Sequence, residues 1–310
     1  MDWLVIAIAA YLILAIVNLS DKFLLENLVP STKTYTFLVG VLGAVVLVLA
    51  PWFLEWPGFF WLIYNLVVGA LFPVALLLLY RSLKIGDVSK IIPLIGGLVP
   101  IFTIILALVF LGETFSSLQW LALFFLLLGT VLLAWLPSGH SLWTKVLIWF
   151  GLVKQKNFIA ILTAVAAAFF FAVFFVATKY IYLNQTFFSA FIWIRLGTLL
   201  CVLFLLVPKA NRKEIFVGLK KLKKKKSVLF FANQGIAAVG FLLQNYAVFL
   251  GSVALVNALQ GVQYAFLLVL GGLISVFYPK LLQEDVSKGI IIQKILAITL
   301  ISIGLYFMVV

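Results

Sequence analysis

The sequence predicts an all-α membrane protein in which ten transmembrane helices form two inverted five-helix repeats. Three observations support this fold class. Apolar stretches of membrane-spanning length recur along the whole chain, most Lys and Arg residues fall in alternate loops, and the second half of the chain repeats the pattern of the first. With 66% hydrophobic and only 10% charged residues, the chain cannot cover a soluble domain with polar side chains.

Each predicted span contains about 20 predominantly apolar residues, the length that a helix needs to cross the hydrocarbon core. Turn-forming residues such as Pro30, Pro57, Gly86, Gly112 and Pro137 separate the spans. The predicted spans are 3–21, 35–54, 59–80, 88–111, 116–136, 158–181, 187–208, 228–249, 253–277 and 289–309.

The basic residues predict the orientation of these spans. Nineteen of the 22 Lys and Arg residues lie in loops that follow odd-numbered spans, and Lys179 is the one basic residue on the opposite side. Arg195 and Lys294 lie inside spans. The positive-inside rule therefore predicts a multi-pass protein of a bacterial-type cytoplasmic membrane, with both termini outside.

Two basic segments are expected to contact lipid on the cytoplasmic side. Lys220–Lys226 belongs to a solvated loop that would bind anionic headgroups, so the net charge of +13 does not indicate a nucleic-acid partner. Residues 138–157 carry Trp, Lys and apolar residues and predict an amphipathic connector in the headgroup region. The predicted organisation is a first repeat at 1–137, this connector, and a second repeat at 158–310.

Two halves of five spans each follow from internal similarity. Leu79–Pro100 aligns with Gln244–Ala265 at a constant offset, which pairs Gly86 with Gly251 and Gly96 with Gly261, and Gln119–Gly129 aligns with Lys294–Gly304. Because five is odd, the second half must enter the membrane with the opposite orientation, and equivalent loops do carry opposite charge densities. Inverted repeats are typical of secondary transporters whose substrate site lies near the midplane between the halves.

The fourth span ends in a P…P…LGE pattern, formed by Pro93, Pro100, Gly112 and Glu113, and the fifth ends with Gly129 and Trp135. With these motifs the chain resembles the drug/metabolite transporter superfamily, in its EamA-type branch. The resemblance implies ten-helix carriers that move small metabolites by alternating access. The second half departs from the pattern, because alanines replace the prolines and the acidic residues lie within Tyr278–Asp285.

The fourth span carries a candidate helix break. Pro93, Gly96 and Pro100 share one helix face, and with Gly97 they predict a loosened turn that lines a cavity and provides a bending point. The alternative is a small-residue face that allows close helix packing. Glu113, at the predicted outer end, is expected to be a structural acid.

Polar side chains in the eighth and ninth spans are candidate substrate-binding residues. Asn257, Gln260 and Tyr264 follow an i, i+3, i+7 spacing, and Gln244 and Asn245 lie in the preceding span. Amides are costly against lipid, so these residues should face protein or a cavity that would suit a neutral or zwitterionic solute. The alternative role is hydrogen bonding between helices.

Two cations complete the candidate site. Arg195 lies about eight residues into the seventh span, where it needs a counter-charge or an aqueous cavity. Lys179 is a second candidate for an anionic group of the substrate. For both residues the alternative is that the charged end reaches the outer interface.

Residues that support catalysis are sparse, since the chain has one histidine and no cluster of His, Asp and Glu. We therefore expect that the protein is not an enzyme and that it has no catalytic residues, no bound metal and no cofactor. The sequence predicts a secondary transporter, in the exporting direction, for small polar organic metabolites such as amino acids. A flippase for lipid-linked or polyprenyl-linked headgroups is the alternative, and a membrane-embedded enzyme is a third reading. The expected partners are a small-molecule substrate and membrane lipids, with the chain as a monomer or homodimer.

Overall fold

The structure is a computed structural model. It describes residues 2–28, 31–86, 88–134, 155–220, 224–277 and 288–309. Most of the predicted connector at 138–157 lies outside the described residues, as do the side chains of 221–227 in the basic loop and the side chain of Lys294.

Within the described ranges the chain is helical apart from short connections. The helices are α1 Asp2–Leu28, α2 Thr32–Gly43, a 3-10 helix Ala44–Leu49, α3 Ala50–Phe53, α4 Phe59–Ile85, α5 Val88–Leu106, a π-helix Ala107–Leu111, α6 Ser117–Ala134, α7 Gln155–Tyr182, α8 Phe187–Phe204, α9 Lys209–Lys220, α10 Lys224–Leu250, α11 Val253–Ala258, α12 Gln260–Phe277 and α13 Lys288–Val309.

Helical segments occupy each of the ten predicted spans. Seven of the described segments are long and apolar enough to cross a membrane, and two further apolar helices at 117–132 and 295–309 are shorter. The part of the chain that the structure describes is thus all-helical and consistent with a membrane protein, while the ten crossings and the inverted relation of the halves stay predictions.

The sequence predicts one regular helix for the second span, but the structure has three consecutive helical segments there. Pro51 has no N–H to donate to the carbonyl of Leu47, and the Ala50 N–H bonds to that carbonyl instead. This bond to the third preceding residue gives the tighter 3-10 geometry of Ala44–Leu49.

The fourth span does not contain the helix break that its prolines and glycines predict. Helix α5 runs without interruption from Val88 to Leu106, through both prolines, and the irregular turn is the π-helix that ends at Gly112. A proline removes one hydrogen bond, but its φ is compatible with a helix, so the chain can continue as α-helix on either side. Gly112 has φ of 63°, a left-handed conformation that favours glycine and terminates the span.

Part of the predicted cytoplasmic loop after the seventh span is helical, while the solvated loop predicted at Lys220–Lys226 lies almost entirely outside the residues whose side chains are described. Helix α9 packs on the start of α2, where Ile215 is fully buried and Gly218 lies against Thr34. Its Glu214 carboxylate forms a 2.8 Å ion pair with Lys33. The contacts to α2, rather than the charged sequence, account for the order of this segment.

The core is formed by helix pairs. Helix α1 packs along α10, α4 packs along both α7 and α8, α5 packs along α7, and α6 packs along α13. Five fully buried or nearly fully buried alanines of α7 allow close approach of its neighbours: Ala160, Ala164, Ala167, Ala168 and Ala172.

Candidate functional site

The ninth span is interrupted within the bundle. Helix α11 ends at Ala258 and α12 begins at Gln260. The Leu259 N–H is shared between the carbonyls of Leu255 and Val256 at 3.2 Å each, and the Leu259 carbonyl accepts from the Val262 N–H at 2.9 Å. The helix therefore tightens for one turn at residues that are almost completely buried.

A side chain from α1 supports this interruption. The Tyr11 hydroxyl donates a 2.8 Å hydrogen bond to the Val256 carbonyl and accepts a 3.2 Å hydrogen bond from Gln244 Nε2 on α10. Tyr11 is 1% exposed. The Val256 carbonyl therefore has two donors, the Tyr11 hydroxyl and the Leu259 N–H, and stays hydrogen-bonded where the helical ladder is disturbed. Tyr11 was not among the sequence-based candidates, although a tyrosine in the middle of an apolar first span is itself a signal of a polar contact.

The three polar residues predicted on one face of the ninth span lie in different surroundings. Asn257 is buried and donates to the Val253 carbonyl of its own helix at 2.9 Å. Tyr264 packs against Gly96 of α5, where its ring occupies the space that a side chain would fill. Gln260 is partly exposed. The tight turn at Leu259 lies between Asn257 and the other two residues, and their joint role in substrate binding stays a prediction.

The residues of the candidate hinge face other helices. Gly96 contacts Tyr264, and a Cβ on Gly97 would lie 3.4 Å from Val131 of α6. Pro100 is buried, and the side chain of Pro93 lies outside the described residues. In this conformation the face serves close packing, which is the alternative that the sequence left open, and a bending role stays a prediction.

Arg195 lies in an aromatic enclosure formed by three helices. Its Cζ is 4.2 Å from the ring centroid of Phe241, 5.1 Å from that of Phe191 and 5.8 Å from that of Phe72. The side chain is 7% exposed, so the alternative of reaching the outer interface does not describe this conformation. These phenylalanines were not among the sequence-based candidates, because nothing in a sequence so rich in Phe distinguishes them.

Asn245 and Gln244 are both buried on α10, close to the aromatic enclosure in sequence. The Tyr182 hydroxyl donates to Asn245 Oδ1 at 3.1 Å, and Asn245 Nδ2 donates to the Phe241 carbonyl at 2.9 Å. Asn245 therefore bonds to Tyr182 and to the backbone of Phe241, a ring neighbour of Arg195, whereas Gln244 bonds to Tyr11.

Glu113 and Lys179 lie at the same end of the bundle. Glu113 contacts the start of α11, and Lys179 contacts the end of α10. The Glu113 carboxylate accepts from Ser252 Oγ at 2.6 Å and from the Val253 N–H at 3.0 Å, and it thereby caps the start of α11. Lys179 Nζ donates to the carbonyls of Val248 and Phe249 at the end of α10. Each charge thus complements the dipole of the helix end that it contacts.

A cavity of about 260 Å³ opens beside these two residues. It lies at the end of the bundle that the charge pattern assigns to the outside, and Gln119, Ser252 and Leu255 also line it. The predicted structural role of Glu113 and the predicted ligand role of Lys179 are both compatible with this placement, and neither is tested by it. Among the described residues, no three His, Cys, Asp or Glu side chains approach closely enough to hold a metal ion.

Comparisons with known proteins agree with this architecture. Residues 1–135 match the model of the EamA-like transporter family, which belongs to the drug/metabolite transporter superfamily. A solved structure titled "Crystal structure of protein" aligns with a TM-score of 0.61 and 18% identity, over 97% of this chain and 93% of that chain. At this identity the similarity concerns the fold alone. No curated protein matches the chain.

Proposed function

We propose that the protein is a multi-pass membrane transporter of the drug/metabolite type that exports small polar organic metabolites such as amino acids. The match of residues 1–135 to the EamA-like transporter family model and the long apolar helices support this proposal. Transport proceeds by alternating access to a site near the midplane between two inverted five-helix halves. The interruption of the ninth span at Leu259, with its buried polar network, is the observation that carries this proposal.

Reciprocal contacts between α6 and α13 support the inverted repeat. Gly129 and Gly304 are equivalent in the sequence alignment of the halves. A Cβ on Gly129 would lie 2.9 Å from the Ala297 carbonyl oxygen, and a Cβ on Gly304 would lie 3.1 Å from that of Ala122, the residue equivalent to Ala297. Two segments that contact each other through equivalent residues are related by a local two-fold axis. The pairing of α1 with α10 and of α7 with α4 follows the same relation.

The interrupted helix places polar backbone and side-chain groups inside the membrane, where a polar solute needs them. Irregular backbone is tolerated at membrane depth only where it is enclosed by protein or lines a water-filled space. At Leu259 the neighbouring Val256 carbonyl is bonded to a side chain of α1 that also contacts α10. A change in the position of α1 relative to α10 would therefore exchange the partners of this carbonyl, which makes the network suitable for coupling substrate binding to helix movement.

The orientation and the energy source follow from the charges. The cytoplasmic side is the one that carries the nineteen basic loop residues, with both termini outside. A proton-coupled carrier usually contains a titratable acid at depth, whereas the acids of this sequence lie near the ends of the predicted spans. We infer that the substrate's own gradient drives transport.

Reconstitution of the full chain in liposomes tests the proposal. Vesicles loaded with a mixture of amino acids, hydroxy acids and their amides should lose specific solutes faster than protein-free vesicles, as measured by mass spectrometry. Tyr11→Phe removes the hydroxyl between Val256 and Gln244 and should lower the rate about tenfold, since one buried hydrogen bond corresponds to about 1.4 kcal/mol. Tyr180→Phe, at a side chain that is 40% exposed, is the matched control.

Two outcomes contradict the proposal. One is that no solute leaves faster than from protein-free vesicles although the protein is folded. The other is that a fluorescent lipid-linked sugar changes leaflet in a protein-dependent way while no soluble solute moves, which would indicate a flippase.

A further inference from the structure

Arg195 is buried without an opposite charge. Among the described residues no carboxylate or hydrogen-bond acceptor contacts its guanidinium, whose neighbours are the rings of Phe72, Phe191 and Phe241. Removing a cation from water is expensive, and attraction to aromatic faces offsets only part of that cost. An anion that binds beside such an arginine would offset the cost of its burial.

Within the described part of the chain, the guanidinium N–H groups of Arg195 have no hydrogen-bond partner that an anion would have to displace. The three rings pack against its surface, and a guanidinium has five N–H donors in its plane. On the side of α2, Nη1 lies 3.1 Å from the position that a Cβ on Gly43 would occupy. Glycine therefore allows the backbone of α2 to lie close to Nη1, and a side chain at position 43 would crowd the guanidinium. A planar, two-oxygen anion matches the two parallel N–H groups of an arginine edge.

The position of the enclosure relative to the polar network indicates an organic anion. Phe241 lies about one helical turn, or roughly 5 Å, from Gln244 and Asn245 along α10. An anion held by Arg195 therefore places the remainder of a small molecule against these amides. We propose that Arg195 binds the carboxylate of the transported solute, an inference that rests on the proposed transport function and narrows its substrates to carboxylate-bearing metabolites.

Thermal-shift measurements on the purified full chain test this site with matched probes. Lactate is compared with lactamide and alanine with alaninamide, at constant ionic strength balanced with a bulky sulfonate buffer. We expect each carboxylate at saturation to raise the unfolding midpoint by about 2 °C or more, and each amide to have less than half of that effect.

Arg195→Met removes the charge but keeps a flexible side chain that packs well on aromatic rings. It should abolish the difference between carboxylate and amide, whereas Arg81→Met, at an exposed arginine on α4, should preserve it. Without ligand the Arg195→Met protein should be at least as stable as the wild type, because an uncompensated charge has been removed. A merely structural arginine would instead lower the midpoint in the absence of ligand.

Gly43→Ala provides a second variant if Arg195→Met does not fold. The added methyl group crowds Nη1 and should reduce the carboxylate shift while the guanidinium charge remains. The proposal is overturned if carboxylates and amides stabilise the wild type equally, if Arg195→Met retains the difference, or if chloride or phosphate stabilises the wild type as strongly as lactate.

Liposome efflux separates this inference from the proposed function. Export of amides that Arg195→Met leaves unchanged would refute the carboxylate site while transport stands. Carboxylate binding that depends on Arg195, with no solute crossing the vesicle membrane, would refute transport while the site stands.

Discussion

The crossing of α8 over α4 is the part of the bundle where a single added carbon should have the largest effect. A Cβ on Gly197 would lie 2.7 Å from the Cα of Leu66 and 2.9 Å from its carbonyl carbon. Thr198 Oγ1 donates a 2.8 Å hydrogen bond to the Gly69 carbonyl at the same crossing. Glycine at position 197 therefore allows backbone to meet backbone.

Gly197→Ala requires the two helices to separate. Carbon atoms in contact lie about 3.5–4.0 Å apart, so the backbones must move by about 0.8 Å or more. Overpacking typically costs 1–3 kcal/mol when side chains can adjust, and the obstacle here is backbone, so we expect about 3 kcal/mol. For a chain of this size that corresponds to a fall in the unfolding midpoint of roughly 6 °C or more.

Fluorescence thermal shift in detergent micelles measures this effect. Gly235→Ala on α10 is the matched control, because nothing lies within 4 Å of the added Cβ. It should change the stability by less than about 1 kcal/mol, in the favourable direction. A Gly197→Ala midpoint within about 2 °C of the wild type would refute this description of the crossing.

Two further predictions concern charged residues near the helix ends. The Lys33 ammonium, followed by the Ser31 hydroxyl, donates hydrogen bonds that hold the pKa of Glu214 below its ordinary value of 4.5. The stabilisation from Glu214 is therefore complete above that ordinary pKa and is lost as the pH falls through the lowered value. At neutral pH, Glu214→Gln should accelerate hydrogen exchange in α9, and equal exchange in variant and wild type would contradict the role of this pair. Glu113→Ala removes the carboxylate that caps α11 and should lower the unfolding free energy by about 1–2 kcal/mol in a thermal-shift assay. Thr114→Ala, at the adjacent exposed residue, should leave the unfolding free energy unchanged. Equal midpoints for the two variants would show that the carboxylate cap is dispensable.

The positions of the helices could be predicted from the sequence because local features determine them. Apolar stretches of about 20 residues between prolines and glycines leave few places for a span to begin or end. The burial of Gln244, Asn245 and Asn257 also followed from chemistry alone, since amides are costly against lipid.

The interruption of the ninth span could not be predicted, because its support comes from a distant residue. Tyr11 is 245 positions away from Val256 in the sequence. The proline pattern pointed to the fourth span instead, where the helix is continuous. The sequence also shows that burying the charge of Arg195 in a span costs free energy. Its aromatic neighbours come from α4, α8 and α10, however, and only the packing of those helices identifies them.

Helix α9 illustrates a third kind of difference. The sequence places this segment in the loop between the seventh and eighth spans, but it is helical, and Glu214 and Ile215 contact the beginning of α2 and hold it in place. Tertiary contacts can order a segment that its composition alone would leave exposed.

Exchange across proteoliposomes tests the central claim most directly. Efflux of a radiolabelled carboxylate solute, such as alanine or lactate, is measured with and without the same unlabelled solute outside. A carrier that alternates between two orientations returns faster when loaded, so we predict saturable efflux that external substrate accelerates. Efflux that rises linearly with concentration and does not respond to external solute would contradict alternating access through this bundle.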